Sequence, residues 1–175
     1  MSTASQQQAS ELVQAYSHLL QTHGKPVLDL ACGAGRNGLY LLERGIPTLF
    51  ADNNPQALTG LTHNPLVQAQ HCWQVDLENG EQQLQPDSYQ AIMVFRYLHR
   101  PLFAQLKQAV MPGGIVIYET FTTANRQFGR PNRDDFLLQP GELKELFSDW
   151  QCLHYFEGIM TEPNRAIAQI VCKKI

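Results

Sequence analysis

Val27-Leu28-Asp29-Leu30-Ala31-Cys32-Gly33-Ala34-Gly35-Arg36-Asn37-Gly38 runs from a short apolar segment through a glycine turn into an amphipathic one. The spacing predicts a strand over 27–31, a tight turn over 33–35 and a helix over 37–44 that stops at Gly45. Gly33, Gly35 and Gly38 match G-x-G-x-x-G. Glycines there allow a sharp turn and a close approach of backbone to ligand, and the following helix start offers free N–H donors. Upstream, Ala9, Leu12, Val13, Tyr16, Leu19 and Leu20 form one helical face, ended by Gly24-Lys25-Pro26. Downstream the alternation repeats. Strands are expected over 47–51, 71–75, 91–95 and 115–119, with helices opening at Asn54-Pro55 and covering 101–110 and 140–147. Met111-Pro112-Gly113-Gly114 reads as a turn, and 151–157 with 166–173 as a closing hairpin. Strands alternating with helices imply an α/β fold, with a parallel sheet covered on both faces and mixed at the hairpin edge. Residues 1–175 form one domain, with 1–8 a flexible tail and 121–139 an irregular stretch long enough to be functional.

The glycine turn admits two ligand classes, a nicotinamide dinucleotide and S-adenosylmethionine, or none if it serves packing alone. Both ligands want an acidic group after the second strand for ribose hydroxyls, and Asp52 meets that need for either. Asp29 discriminates between them. A carboxylate inside the first strand is costly to bury unless it finds a partner. An ammonium-bearing ligand supplies one, whereas a pyrophosphate would be repelled. Asp76-Leu77, after the third strand, could accept an adenine amino hydrogen and pack on the ring. The structural alternatives are a helix cap for Asp52 and a turn residue for Asp76.

Composition narrows the classes further. The 175 residues carry 13 Lys and Arg against 16 Asp and Glu, a net charge of −3, and 43% are apolar. A chain of this length buries about 70% of its extended surface, enough for a core without staples. The acidic balance disfavours nucleic-acid binding. Cys32, Cys72, Cys152 and Cys172 lack metal-ligand spacing, so no metal is expected. The polar start has no signal-peptide pattern, and no apolar run reaches the ~20 residues of a membrane helix. A cytoplasmic protein is expected, monomeric or homodimeric, acting on a small molecule and not on a membrane.

Taken in order, the 27–35 segment, Asp52, Val75-Asp76-Leu77 and Met111-Pro112-Gly113-Gly114 resemble the successive motifs of class I S-adenosylmethionine-dependent methyltransferases. Cys32-Gly33-Ala34-Gly35-Arg36-Asn37 running into Leu39-Tyr40-Leu41, then Gly141-Glu142-Leu143 with Trp150 and Tyr155, is similar to the tellurite-resistance methyltransferase branch. The resemblance implies a Rossmann-like three-layer sandwich whose seven-stranded sheet is mostly parallel, with the last strand antiparallel. It implies S-adenosylmethionine as cofactor and S-adenosylhomocysteine as product. Asp29 would lie near the cofactor amino group, with Ala31, Gly33, Gly35 and Asn37 against it. Asp52 would hold the ribose beside Asn53, Asp76 and Leu77 would flank adenine, and Phe95 and Arg96 would lie near the methionyl part.

The Asn-Pro-Pro-Tyr type motif tied to amine methylation is absent after the fourth strand, where Phe95-Arg96-Tyr97-Leu98-His99-Arg100 stands instead. His99, Tyr97 and Arg96 are the candidate catalytic or positioning groups. Tyr118 and Glu119 end the fifth strand, where α/β sheets meet their substrates. Five of eight arginines fall between 96 and 133, so Arg126, Arg130 and Arg133 join Arg165 as candidates to hold an anionic acceptor. Alternatively, Arg133 pairs with Asp134 or Asp135, and Glu119 with an arginine. The branch carries a His-Arg pair near the last strand, but Thr161-Glu162-Pro163-Asn164-Arg165 has no His. That departure weighs against tellurium or selenium oxyanions and leaves a small organic acid open. The competing classes are a non-catalytic cofactor-binding or protein-interaction module and a nicotinamide oxidoreductase. The oxidoreductase lacks a Tyr-x-x-x-Lys pair.

Overall fold

A computed structural model of the protein describes residues 8–175, so most of the expected 1–8 tail lies outside the described residues. The elements in chain order are α1 (Glu11–Tyr16), β1 (Val27–Leu30), α2 (Arg36–Leu42), β2 (Thr48–Asp52), α3 (Pro55–Leu61) and β3 (Cys72–Gln74). They continue with β4 (Tyr89–Phe95), α4 (Phe103–Ala109), β5 (Val110–Phe121), α5 (Glu142–Leu146), β6 (Gln151–Met160) and β7 (Arg165–Lys173). The seven strands form one sheet in the order β3-β2-β1-β4-β5-β7-β6. Pairs from β3 to β5 are parallel, and β7 runs antiparallel to both β5 and β6. It is the seven-stranded sheet with a reversed last strand that the resemblance implies, and it agrees with the parallel sheet and closing hairpin read from the alternation.

Every residue of β1 is buried, as a central parallel strand covered on both faces requires. On one face Leu28, Ile92, Val116 and Tyr118 meet Phe103 and Leu106 of α4, Leu143 of α5, and Phe147. On the other Val27, Met93, Ile117 and Val171 meet Leu12 and Val13 of α1 and Leu41 of α2. Phe50, Leu58 and Leu61 seat α3 beside α2. Pro55 opens α3 behind Asn54, whose side chain accepts from the Gln56 N–H, so Asn54 and not Asp52 is the cap.

The boundaries differ from the sequence expectation where backbone geometry intervenes. The first helix is one and a half turns of α-helix closed by a 3₁₀ turn at Ser17–Leu19. The Met111–Gly114 turn is absorbed into β5 as an irregularity, because Gly113 and Gly114 exchange backbone hydrogen bonds of 2.9 Å with Lys174. The 121–139 stretch carries two 3₁₀ turns, Thr123–Phe128 and Asp134–Phe136. Its ends are tied by a Thr122–Leu138 bridge, the Leu138 N–H donating to the Phe121 carbonyl at 2.9 Å. Among the described residues, no helix is long and apolar enough to cross a membrane.

Candidate functional site

The chain moves from β1 to β2 on one side of β1 and returns from β3 to β4 on the other. A crevice therefore opens at the C-terminal ends of β1 and β4. Both strands end there in a left-handed residue, Ala31 at φ 54° and Arg96 at φ 55°. Such backbone is uncommon for residues with a Cβ and collects at functional sites.

From Ala31 the chain folds back on β2. The Cys32 N–H donates to the Ala51 carbonyl at 3.0 Å and the Gly33 N–H to Asp52 Oδ2 at 2.8 Å. Two glycines of the turn are required by space. A Cβ on Gly35 would sit 2.5 Å from Leu61 in a backbone of φ 73°, and one on Gly38 would sit 2.4 Å from the Phe50 ring. The close approach at Gly38 lets its N–H donate to Asp29 Oδ2 at 2.9 Å. Asp29 is 4% exposed. Burial pushes its carboxyl up to about 7, against the Gly38 hydrogen bond and the Arg36 charge, which favour ionisation.

Three neighbouring cavities, which share wall residues, surround these groups. The inner one, about 260 Å³, is walled by Asp29, the 31–37 turn, Phe95 and Arg96. The outer one, about 270 Å³, is walled by Leu30, Ala31, Ala51, Asp52, Asn53, Val75, Asp76, Leu77, Glu78 and Tyr97. The third, about 340 Å³, lies among Glu78, Arg96, Tyr97, Leu98, Thr120, Phe121, Pro131 and Phe136. Ala31 joins inner to outer, Arg96 joins inner to third, and Glu78 with Tyr97 joins outer to third.

The residues expected at the cofactor therefore all line the inner or outer cavity. Asp52 Oδ1 also accepts the Asn54 N–H at 2.9 Å, so each of its oxygens holds one backbone donor and keeps a lone pair. Asp76 Oδ1 accepts the Glu78 N–H at 2.9 Å, a turn that carries Glu78 to the rim. Asn37 is buried and accepts the Ser10 N–H at 2.8 Å, tying the segment before α1 to the inner cavity.

The candidate catalytic and acceptor residues scatter more widely. The Tyr97 hydroxyl donates to Glu78 Oε1 at 2.9 Å. Burial, then the Glu78 bond, holds that phenol above its usual range. His99 Nδ1 lies 4.0 Å from the same carboxylate oxygen and lines none of the three cavities. Tyr118 is buried against Phe103 and donates to the Tyr97 carbonyl at 2.7 Å, so it braces the end of β4 from the core side. Glu119 is buried too, and its partner is Gln169, at 2.7 Å, where an arginine was the expected alternative.

The arginines do not converge. Arg126 pairs with Asp134, and Arg133 with Asp135 at 2.9 Å. Arg165 donates to the Thr161 and Pro163 carbonyls at 3.4 and 3.0 Å. Arg130 precedes Pro131 on the exposed loop. None of these four lines the cavities, whereas Arg96 lines two. Sequence reading missed Arg36 in the inner cavity and Glu78 in the outer. Arg36 was signalled by its place directly after Gly35, and Glu78 by the turn that Asp76 sets.

The family model of the tellurite resistance protein TehB matches residues 5–168. A Haemophilus influenzae protein described as "Probable S-adenosyl-L-methionine-dependent methyltransferase TehB" is 28% identical over 140 residues, 76% of this chain and 48% of that protein. Hemagglutinin 1 of Eikenella corrodens is 26% identical over 140 residues, 75% of this chain and 46% of that protein. The chain thus spans about half the length of these curated relatives. The crystal structure of TehB from Haemophilus influenzae superposes with a TM-score of 0.74 at 22% identity, over 94% of this chain and 62% of that one. An S-adenosylmethionine-dependent methyltransferase from Mesorhizobium loti gives 0.70 at 16% identity, over 92% and 96%. At these identities the superpositions establish a shared fold.

Proposed function

This chain belongs to the tellurite resistance protein TehB family, and from that premise we propose that it transfers a methyl group from S-adenosylmethionine to a small acceptor. The observation that carries the reading is Asp29, a carboxylate buried at the wall of the inner cavity with one backbone donor. Among the described residues Asp29 holds no ion pair, and an arriving ammonium supplies a direct counter-charge that adds to the more distant Arg36 field. Arg36, on the same cavity, suits the carboxylate of a methionyl group. Asp52 keeps lone pairs for ribose hydroxyls beside Asn53, and Asp76 and Leu77 suit an adenine edge and face. The residues present therefore fit S-adenosylmethionine from end to end.

When bound, the cofactor supplies a methyl group on a sulfonium, which leaves as a neutral thioether. The chain's own residues position and desolvate. Ala31 and Arg96 bound the junction of the cavities, and Tyr97 separates the outer from the third. Arg96 and Tyr97 meet the acceptor, and the Tyr97 hydroxyl holds Glu78, with His99 Nδ1 4.0 Å from the same carboxylate. Tyr97 is a poor proton acceptor, since its phenol stays protonated and already donates to Glu78. The acceptor that suits this site arrives as an anion and needs no base.

Thermal melting with S-adenosylmethionine, S-adenosylhomocysteine, NAD and NADP in parallel tests the reading. At 100 times the dissociation constant, the two adenosyl-sulfur ligands should add about 2.7 kcal/mol, or roughly 5–10 °C. A shift with a dinucleotide alone overturns the assignment. Binding without turnover across an acceptor screen would favour the binding-module alternative.

The 121–139 segment acts as a lid in this scheme. Phe121, Pro131 and Phe136 wall the third cavity. The segment is held at its C-terminal end by Arg100, which donates to the Leu137 carbonyl at 2.9 Å and grips Glu142, just beyond the segment, at 2.6 and 2.9 Å. Trypsin should cut after Arg126 and Arg133 several-fold more slowly once product and acceptor are bound. Equal rates with and without ligands would rule the lid out.

A further inference from the structure

The third cavity is chemically lopsided. Leu98, Phe121, Pro131 and Phe136 contribute apolar walls, and the Tyr97 ring adds a fifth. Glu78 is already engaged by the Tyr97 hydroxyl. Thr120 is 2% exposed and sits in the sheet. The free polar group is Arg96. Among the described residues its guanidinium has no ion pair or hydrogen bond, while Arg100, Arg126 and Arg133 each hold a carboxylate. Phe136 is 46% exposed, with the Arg133 guanidinium 5.4 Å from its ring centre.

We propose that the acceptor is an organic anion with an apolar body, its charged head on Arg96 and its body against Leu98, Phe121, Pro131 and Phe136. The proposal rests on the methyl-transfer reading and narrows its substrate. Three points support it. First, size: at about 30 Å³ per water, 340 Å³ holds roughly ten waters. A bare oxyanion of a few heavy atoms would fill a small part of that space and leave four apolar side chains wet. Second, charge: one unpaired cation and an engaged carboxylate select a monoanion over an amine or a zwitterion. Third, placement: Arg96 is the wall shared with the inner cavity, so the head lies toward the end where a methyl group would arrive, and the body points under the lid.

The test is calorimetric titration of protein saturated with S-adenosylhomocysteine. The probes are phenylacetate, 4-methylpentanoate, acetate, selenite and phenethylamine. Phenylacetate and 4-methylpentanoate should bind at least tenfold more tightly than acetate or selenite, and phenethylamine should not bind. Arg96→Gln should weaken the apolar acids by a larger factor than it weakens S-adenosylhomocysteine, measured on the same sample. Phe136→Ser should shrink the preference for phenylacetate over acetate. Selenite or acetate binding as well as the apolar acids overturns the proposal. So does comparable binding of phenethylamine, or no binding by any probe. Failure of S-adenosylhomocysteine itself to bind would instead remove the methyl-transfer reading on which the proposal stands.

Discussion

Asp29→Asn should cost about 100-fold or more in affinity for S-adenosylhomocysteine while leaving the protein folded. Removing one partner of a buried charge pair typically costs 2–5 kcal/mol. The asparagine amide oxygen can still accept the Gly38 N–H, so the turn keeps its anchor. The wild type should carry a pH signature that the variant lacks. Burial raises the Asp29 carboxyl from 3.8 to about 7. Between those values the unfolded chain has released a proton that the folded chain retains. Stability of the unliganded protein therefore falls as pH rises through this window and levels off above about 7. An ammonium ligand needs the ionised form, so affinity moves the other way. It should rise with pH, being about 30-fold weaker at pH 5.5 than on its plateau. Calorimetry across pH 5.5–8 would check both trends. A flat wild-type profile, or an unimpaired Asn variant, would remove Asp29 from the cofactor site.

Gly38→Val should lower the melting temperature by roughly 6–12 °C, corresponding to about 3 kcal/mol. The added Cβ alone would stand 2.4 Å from Phe50 Cε1 and 2.9 Å from Asp29 Oδ2. Phe50 is fully buried beside Leu58 and Leu61, so it has little room to retreat. Gly33→Ala is the control. A Cβ there meets nothing within 4 Å, so only the φ of 53° penalises it. Its cost should be about 1–2 kcal/mol. Equal melting of the two variants, measured by calorimetry or circular dichroism, would refute the packing argument.

The sheet and the residues that line the inner and outer cavities were legible because they rest on local signals. Val27–Leu30 announces a buried parallel strand by having no polar face apart from Asp29, and Gly35 and Gly38 announce the turn. The acceptor side was less legible because arginine partners are chosen in three dimensions. Arg126 and Arg133 looked available in sequence, yet the 3₁₀ turn at Asp134–Phe136 carries Asp134 and Asp135 to them. Tyr118 ends a strand that faces the crevice, but alternation along β5 turns its ring into the core beside Phe103. Arg96 stood among the candidate catalytic groups, but its place on the wall of two cavities was not legible. The left-handed backbone that aims it into two cavities has no residue-type signature.

Strand β7 has a consequence for how the molecule assembles. It is inserted between β5 and β6, although it follows both in the chain. Until residues 165–173 are in place, β5 presents an open edge, and Thr120 and Phe121 lack their Ala168 and Ile167 neighbours. Those are the residues that floor the third cavity. The third cavity thus depends on a pairing of high sequence separation, which loop-closure entropy makes late. The β1–α2–β2 unit joins elements consecutive in the chain and can form early. A nascent chain exposes a sticky β5 edge until synthesis passes β7, and this interval is when the protein is most open to aggregation or chaperone capture.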